Sequence, residues 1–96
     1  MFTAADARRM REENTAFQKA LQESVDYTIK DIKKWIELGR DYSSISTCFF
    51  KDKNGNDRMV SRYQVLDELK NLGYREYRKP VYIGGVPQIG PFVTWL

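Results

Sequence analysis

Residues 3–39 read TAADARRMREENTAFQKALQESVDYTIKDIKKWIELG, and this stretch decides the fold. Thr3 precedes Asp6 by three, the Ser/Thr-x-x-acid spacing in which a hydroxyl accepts an orphan backbone N–H and the acid faces the positive end of a helix. Behind that cap, Ala7, Met10, Phe17, Leu21, Val25, Ile29, Ile32, Trp35 and Ile36 recur at helical spacing. Asn14, Ser24 and Thr28 interrupt the stripe. Gly39 follows Leu38, where a left-handed residue closes a helix. The stretch therefore predicts one long amphipathic helix, or two helices end to end. At roughly 1.5 Å per residue it would run about 54 Å, against about 30 Å for a small domain. A straight helix of that length overhangs its own core. Either it breaks near Asn14-Thr15, or its first half packs on another protomer through Met10, Phe17 and Leu21, which would otherwise face water. On the second alternative, residues 1–39 form a helical oligomerisation segment and residues 40–96 a small α/β unit.

The rest of the chain predicts a small three- to four-stranded mixed sheet with one covering helix, so the fold class is α+β. Ile45–Phe50 is β-branched and aromatic and predicts the first strand. Asn54-Gly55 is a strong hairpin signal, and Arg58-Met59-Val60 can return as a short strand. Asp52, Asn54 and Asn56 alternate as in a calcium loop, but the register fails: Asp57 stands where glycine is needed and Tyr63 where a bidentate Glu is needed. Ser61 and Gln64 form a second capping box, opening a helix that carries Val65, Leu66, Leu69 and Leu72 and stops at Gly73. Tyr74–Ile83 is strand-like, and Pro80 confines it to an edge. Gly84–Pro91 predicts a loop. Phe92–Leu96, apolar on both faces, predicts a central strand lying between the other two as their antiparallel neighbour.

A chain of 96 residues makes one domain, 1–96. No apolar run is long enough for a membrane span, and no charged-then-apolar leader is present. Cys48 stands alone, which fits a reducing, cytoplasmic compartment. Histidine is absent, removing the commonest general base and the commonest metal ligand. The acidic pairs Glu12-Glu13 and Asp67-Glu68 are helical neighbours that point apart, so neither forms an acid–base dyad. No phosphate-loop spacing occurs. These absences predict a non-enzyme with neither metal nor cofactor.

Charge is unevenly placed. Residues 1–38 carry seven basic and seven acidic side chains; residues 39–96 carry nine and six, and none of the acids follows Glu76. Arg75, Arg78 and Lys79 are interleaved with Tyr74, Tyr77 and Tyr82, and alternation would put Arg75, Tyr77 and Lys79 on one strand face. Aromatics stack on bases while guanidinium groups fork onto phosphates, which is what a nucleotide or single-strand site requires. Gly84 and Gly85 follow at once and could turn backbone N–H groups toward an anion. The candidate ligand residues are therefore Arg75, Tyr77, Arg78, Lys79, Tyr82, Gly84 and Gly85. The bland alternative is an edge strand charged only to block aggregation.

The segments Met1-Phe2-Thr3-Ala4 with Ala7-Arg8, Leu66–Tyr74, and Val93-Thr94-Trp95 resemble a group of small phage- or prophage-encoded α/β proteins. The shared pattern is a long N-terminal helix, a strand, a short helix ending Leu-Gly-Tyr, and terminal strands. The Asn54-Gly55 and Gly84–Gly90 loops depart from it. The resemblance implies an accessory protein in the host cell cytoplasm that counters host defence. Three functions follow as expectations: a self-associating sponge for a nucleotide second messenger, a protein–protein inhibitor of a host defence protein (anti-CRISPR-like), and a weak single-stranded nucleic-acid binder.

Overall fold

The computed structural model describes residues 1–96 as an α+β fold. One helix, α1 (Ala4–Glu37), runs unbroken. Its start is the expected capping box: Thr3 Oγ1 accepts from Asp6 N at 3.2 Å, and Asp6 Oδ2 accepts from Thr3 N at 3.0 Å. At its end Gly39 takes φ +76°, and the N–H groups of Gly39 and Arg40 donate to Ile36 O and Trp35 O. Of the two alternatives, the break at Asn14-Thr15 does not occur: both side chains are exposed, and Thr15 Oγ1 donates back to Arg11 O, four residues earlier on the same helix.

The long first strand expected at Ile45–Phe50 does not form as one element. It is replaced by β1 (Tyr42–Ser44) and β2 (Phe49–Lys51), with an extended run between them lying across α1. Ser24 Oγ accepts from Cys48 N at 2.9 Å and Thr28 Oγ1 accepts from Ser46 N at 3.0 Å. Both side chains are fully buried. The spacings match: four helical residues rise about 6 Å, and two extended residues advance about 6.6 Å. Two of the three polar residues that interrupt the apolar stripe, Ser24 and Thr28, thus replace a sheet ladder for this segment.

From β2 the chain turns through Asn54-Gly55 into β3 (Asp57–Met59), an antiparallel hairpin. Asp52 holds the turn. Its Oδ1 accepts from Asn54 N and Asn56 N, and its Oδ2 from Arg58 Nε at 2.9 Å. The Arg58 bond, then that from Asn56 N, keeps the Asp52 carboxyl below its usual range. The hairpin lies along the N-terminal half of α1. Phe50 packs edge-on against Phe17 at 5.4 Å, and Lys53 at the tip faces Asp6. The molecule measures 53 × 27 × 19 Å, so α1 is its full length and the hairpin braces the overhang.

Next comes α2 (Arg62–Asn71), capped by Ser61 and Gln64 as expected and closed by Gly73 at φ +97°. Val65, Leu66 and Leu69 are buried against Leu21, Val25, Ile32 and Val93 in one core. The sheet is three-stranded in the order β1-β7-β4, with β4 at Arg75–Tyr77 and β7 at Phe92–Thr94. As expected, β7 is central and antiparallel to both neighbours, but the neighbour on one side is Tyr42–Ser44 and not the expected Ile45–Phe50. Every pairing in the protein is antiparallel, so one mixed sheet is replaced by three small antiparallel ones. The expected Tyr74–Ile83 strand is cut to β4 plus a separate β5 (Tyr82–Ile83), and the expected loop contains β6 (Val86–Pro87), paired with β5.

Candidate functional site

Sheet alternation sorts the side chains. Ser43 and Val93 share a face and are fully buried toward the helices. On the opposite face stand Tyr42, Tyr77 and Phe92. The Tyr42 ring is the hub: it stacks on Tyr77 at 4.6 Å, meets Phe92 edge-on at 6.0 Å and tilts against Trp35 at 5.4 Å. Arg75, opposite Thr94, is exposed on this face.

The ladder stops at the Tyr77–Phe92 pair. Pro80 has no N–H to continue it, and the chain swings away through Arg78 and Lys79. Val81 is buried, and its carbonyl accepts from Gln88 N at 2.8 Å, closing the base of the β5–β6 hairpin. Gly84 and Gly85 form the tip at φ +58° and +79°, the pair of left-handed residues a tight two-residue hairpin turn needs. Between this segment and the first turn of α2 lies an open cleft of about 440 Å³. Tyr63, Glu76, Tyr77, Arg78, Lys79 and Gln88 are among its lining residues.

Three of the seven expected ligand residues, Tyr77, Arg78 and Lys79, therefore meet in one cleft. Arg75 projects from the sheet face, and Tyr82, Gly84 and Gly85 belong to the hairpin and do not line the cleft. The glycines serve the turn. Alternation would have grouped Arg75, Tyr77 and Lys79, but it holds only while the ladder does, and Lys79 lies beyond its end. Two contributors went unread. Tyr63 comes from another element, although it stands off the apolar stripe of α2 as an exposed aromatic. Glu76 brings a carboxylate into the cleft, 3.8 Å from Arg78 Nε.

The expected oligomer residues also separate. Leu21 is buried in the chain's own core and Phe17 is half-buried against Phe50, so neither faces water as their proposed interface role requires. Met10 is 56% exposed, beside Phe2 at 67%. A second exposed apolar group lies on and beside the β5–β6 hairpin: Tyr82, Ile83, Val86 and Ile89, the last 90% exposed. No helix is long and apolar enough to cross a membrane. No three His, Cys, Asp or Glu side chains gather where they could hold a metal ion.

In comparisons with known proteins, no family model, no curated protein and no solved structure matches this chain. Fold and site together define a small α+β protein with an aromatic, basic cleft at the edge of its sheet.

Proposed function

We propose that this protein is a non-enzymatic binder of a nucleotide-type anion. The observation that supports the reading is the meeting of Tyr63 and Tyr77 with Arg78 and Lys79 around one cleft. The rings offer stacking faces to a base, worth about 1–3 kcal/mol each when a base stacks fully. The two cations offer charge to phosphates, and the cleft is within the size range of small-molecule sites, about 300–1,000 Å³. With the phage-type resemblance, the sharpest form is a sponge that sequesters a nucleotide second messenger of host defence. It would self-associate through the exposed Phe2 and Met10 end of α1.

Isothermal titration calorimetry against a panel of mono- and dinucleotides tests this. Saturable binding is expected, lost in the double variant Arg78→Ala/Lys79→Ala while far-UV circular dichroism stays unchanged. Heats no larger than buffer dilution across the panel would end the reading. Native mass spectrometry tests the assembly, which Met10→Ser should weaken.

A second reading is favoured by the apolar β5–β6 hairpin. Tyr82, Ile83 and Val86 would insert into a host defence protein, making the chain a protein–protein inhibitor. Ile83→Ser/Val86→Ser should then abolish inhibition and leave nucleotide binding intact.

A further inference from the structure

Glu76 is the last acidic residue in the chain and the one carboxylate lining the cleft. Its side chain is 28% exposed and accepts no hydrogen bond from the rest of the protein; its ionic contact with Arg78 Nε is long, at 3.8 Å. A cleft built only to attract phosphate would bind better without it, because a negative charge beside the ligand opposes an anion. Its place needs another explanation.

We infer that Glu76 and Arg78 together read the edge of a guanine base, an assignment that rests on the nucleotide-binding reading above. A carboxylate offers two acceptor oxygens and a guanidinium offers five N–H donors. Side by side they present donor, acceptor, acceptor. The Watson–Crick edge of guanine is the complement: O6 accepts, while N1–H and the N2 amino group donate. Adenine satisfies part of this array through N6–H and N1, but leaves one carboxylate oxygen without a donor. Uracil sets O2 against that oxygen. Cytosine sets N3 and O2 against the carboxylate and its amino group against Arg78. Arg78 keeps donors to spare for a phosphate, and Lys79 supplies a second cation. Glu76 pairs with Val93 and so lies on the helix-facing side of β4, where Tyr63 of α2 would stack on the base held in this way.

The test is calorimetry with GMP, AMP, CMP and UMP on the full chain and on Glu76→Gln. The wild type should bind GMP tightest, by about tenfold or more over CMP and UMP, the scale of one good bidentate contact. Glu76→Gln should still bind all four and lose the preference for GMP, because an amide offers one acceptor in place of two. If Glu76 serves only to restrain Arg78, the variant will tighten all four equally, and the inference fails. Equal affinities in the wild type overturn it while leaving nucleotide binding standing; no binding by any of the four overturns both. Should Glu76→Gln fail to fold, the wild-type ranking decides alone.

Discussion

Replacing Thr28 with valine removes one oxygen at nearly constant shape. In the native protein that oxygen accepts from Ser46 N at 3.0 Å and donates to Ser24 O at 2.8 Å. The carbonyl of Ser24 loses little, since the helical ladder also serves it. The amide of Ser46 loses its partner in a place where Thr28 is fully buried. An unsatisfied donor of this kind costs about 1–3 kcal/mol, and the extra methyl of valine offsets a fraction of it. A net loss of about 1–2 kcal/mol corresponds to a fall of roughly 4–16 °C in Tm for a domain of this size. Ser24→Ala should act in the same way through the amide of Cys48. The two are neighbours on one short segment, so the double variant should lose less than the sum: once either anchor is gone, the other holds less. Against a total stability of about 5–15 kcal/mol, the pair is a large share.

Thermal unfolding by circular dichroism measures the effect, and amide hydrogen exchange at Ser46 and Cys48 locates it. Both amides should be protected in the wild type and exchange faster in the variants. Thr15→Val is the control. It also deletes a hydroxyl bonded to a helix carbonyl, but an exposed one, and should stay within about 0.5 kcal/mol. A Tm shift for Thr28→Val no larger than the control's would refute the view that these hydroxyls anchor the segment.

Leu66, 1% exposed between the helices and the sheet, should lose about 2–5 kcal/mol on Leu66→Ala, read as a lower denaturant midpoint with unchanged slope. The folded state holds Asp52 below its ordinary carboxyl value of 3.8, chiefly through Arg58. Its stabilisation is therefore complete above that value and is lost as pH falls through the lower folded one; Tm measured across acid pH should drop there, and Asp52→Asn should flatten that part of the drop. Gly39→Ala meets no atom that would clash, yet forces φ +76° on a side chain; a loss of about 1–2 kcal/mol is expected in thermal unfolding.

The parts of the fold legible in the sequence are those written by neighbours. Thr3 with Asp6, Ser61 with Gln64, Gly39 and Gly73 act within three or four residues; the first two start their helices and the glycines close them, as their spacing predicts. Phe92–Thr94 could be placed centrally because a strand apolar on both sides has no other home. Ser24 and Thr28 were illegible for the opposite reason. A polar residue in an apolar stripe reads as an interruption until its partner is known, and these partners lie 24 and 18 residues away. The overhang of α1 was overestimated on the same ground. The β2–β3 hairpin that covers it was legible as a turn at Asn54-Gly55, but nothing local says that the turn, held by Asp52, packs back along α1.

The same distinction governs the cleft. Tyr77, Arg78 and Lys79 are consecutive, so any fold keeps them close. Arg75 is nearly as close in sequence, yet sits apart because the ladder holds it flat on the sheet while Pro80 bends the chain beyond Tyr77. Tyr63 enters only because α2 packs its apolar stripe inward and so turns this ring outward over the end of β4. Glu76 is the sharpest case. In the run Tyr74-Arg75-Glu76-Tyr77-Arg78-Lys79 it is the one acid, and nothing in the sequence gives it a partner. On the guanine-reading proposal, its part-buried carboxylate beside Arg78 would have a task that an edge-blocking charge lacks. An alternating strand can therefore conceal a site where the alternation ends, because there two side chains from the ladder and two from the turn come to share a single cleft.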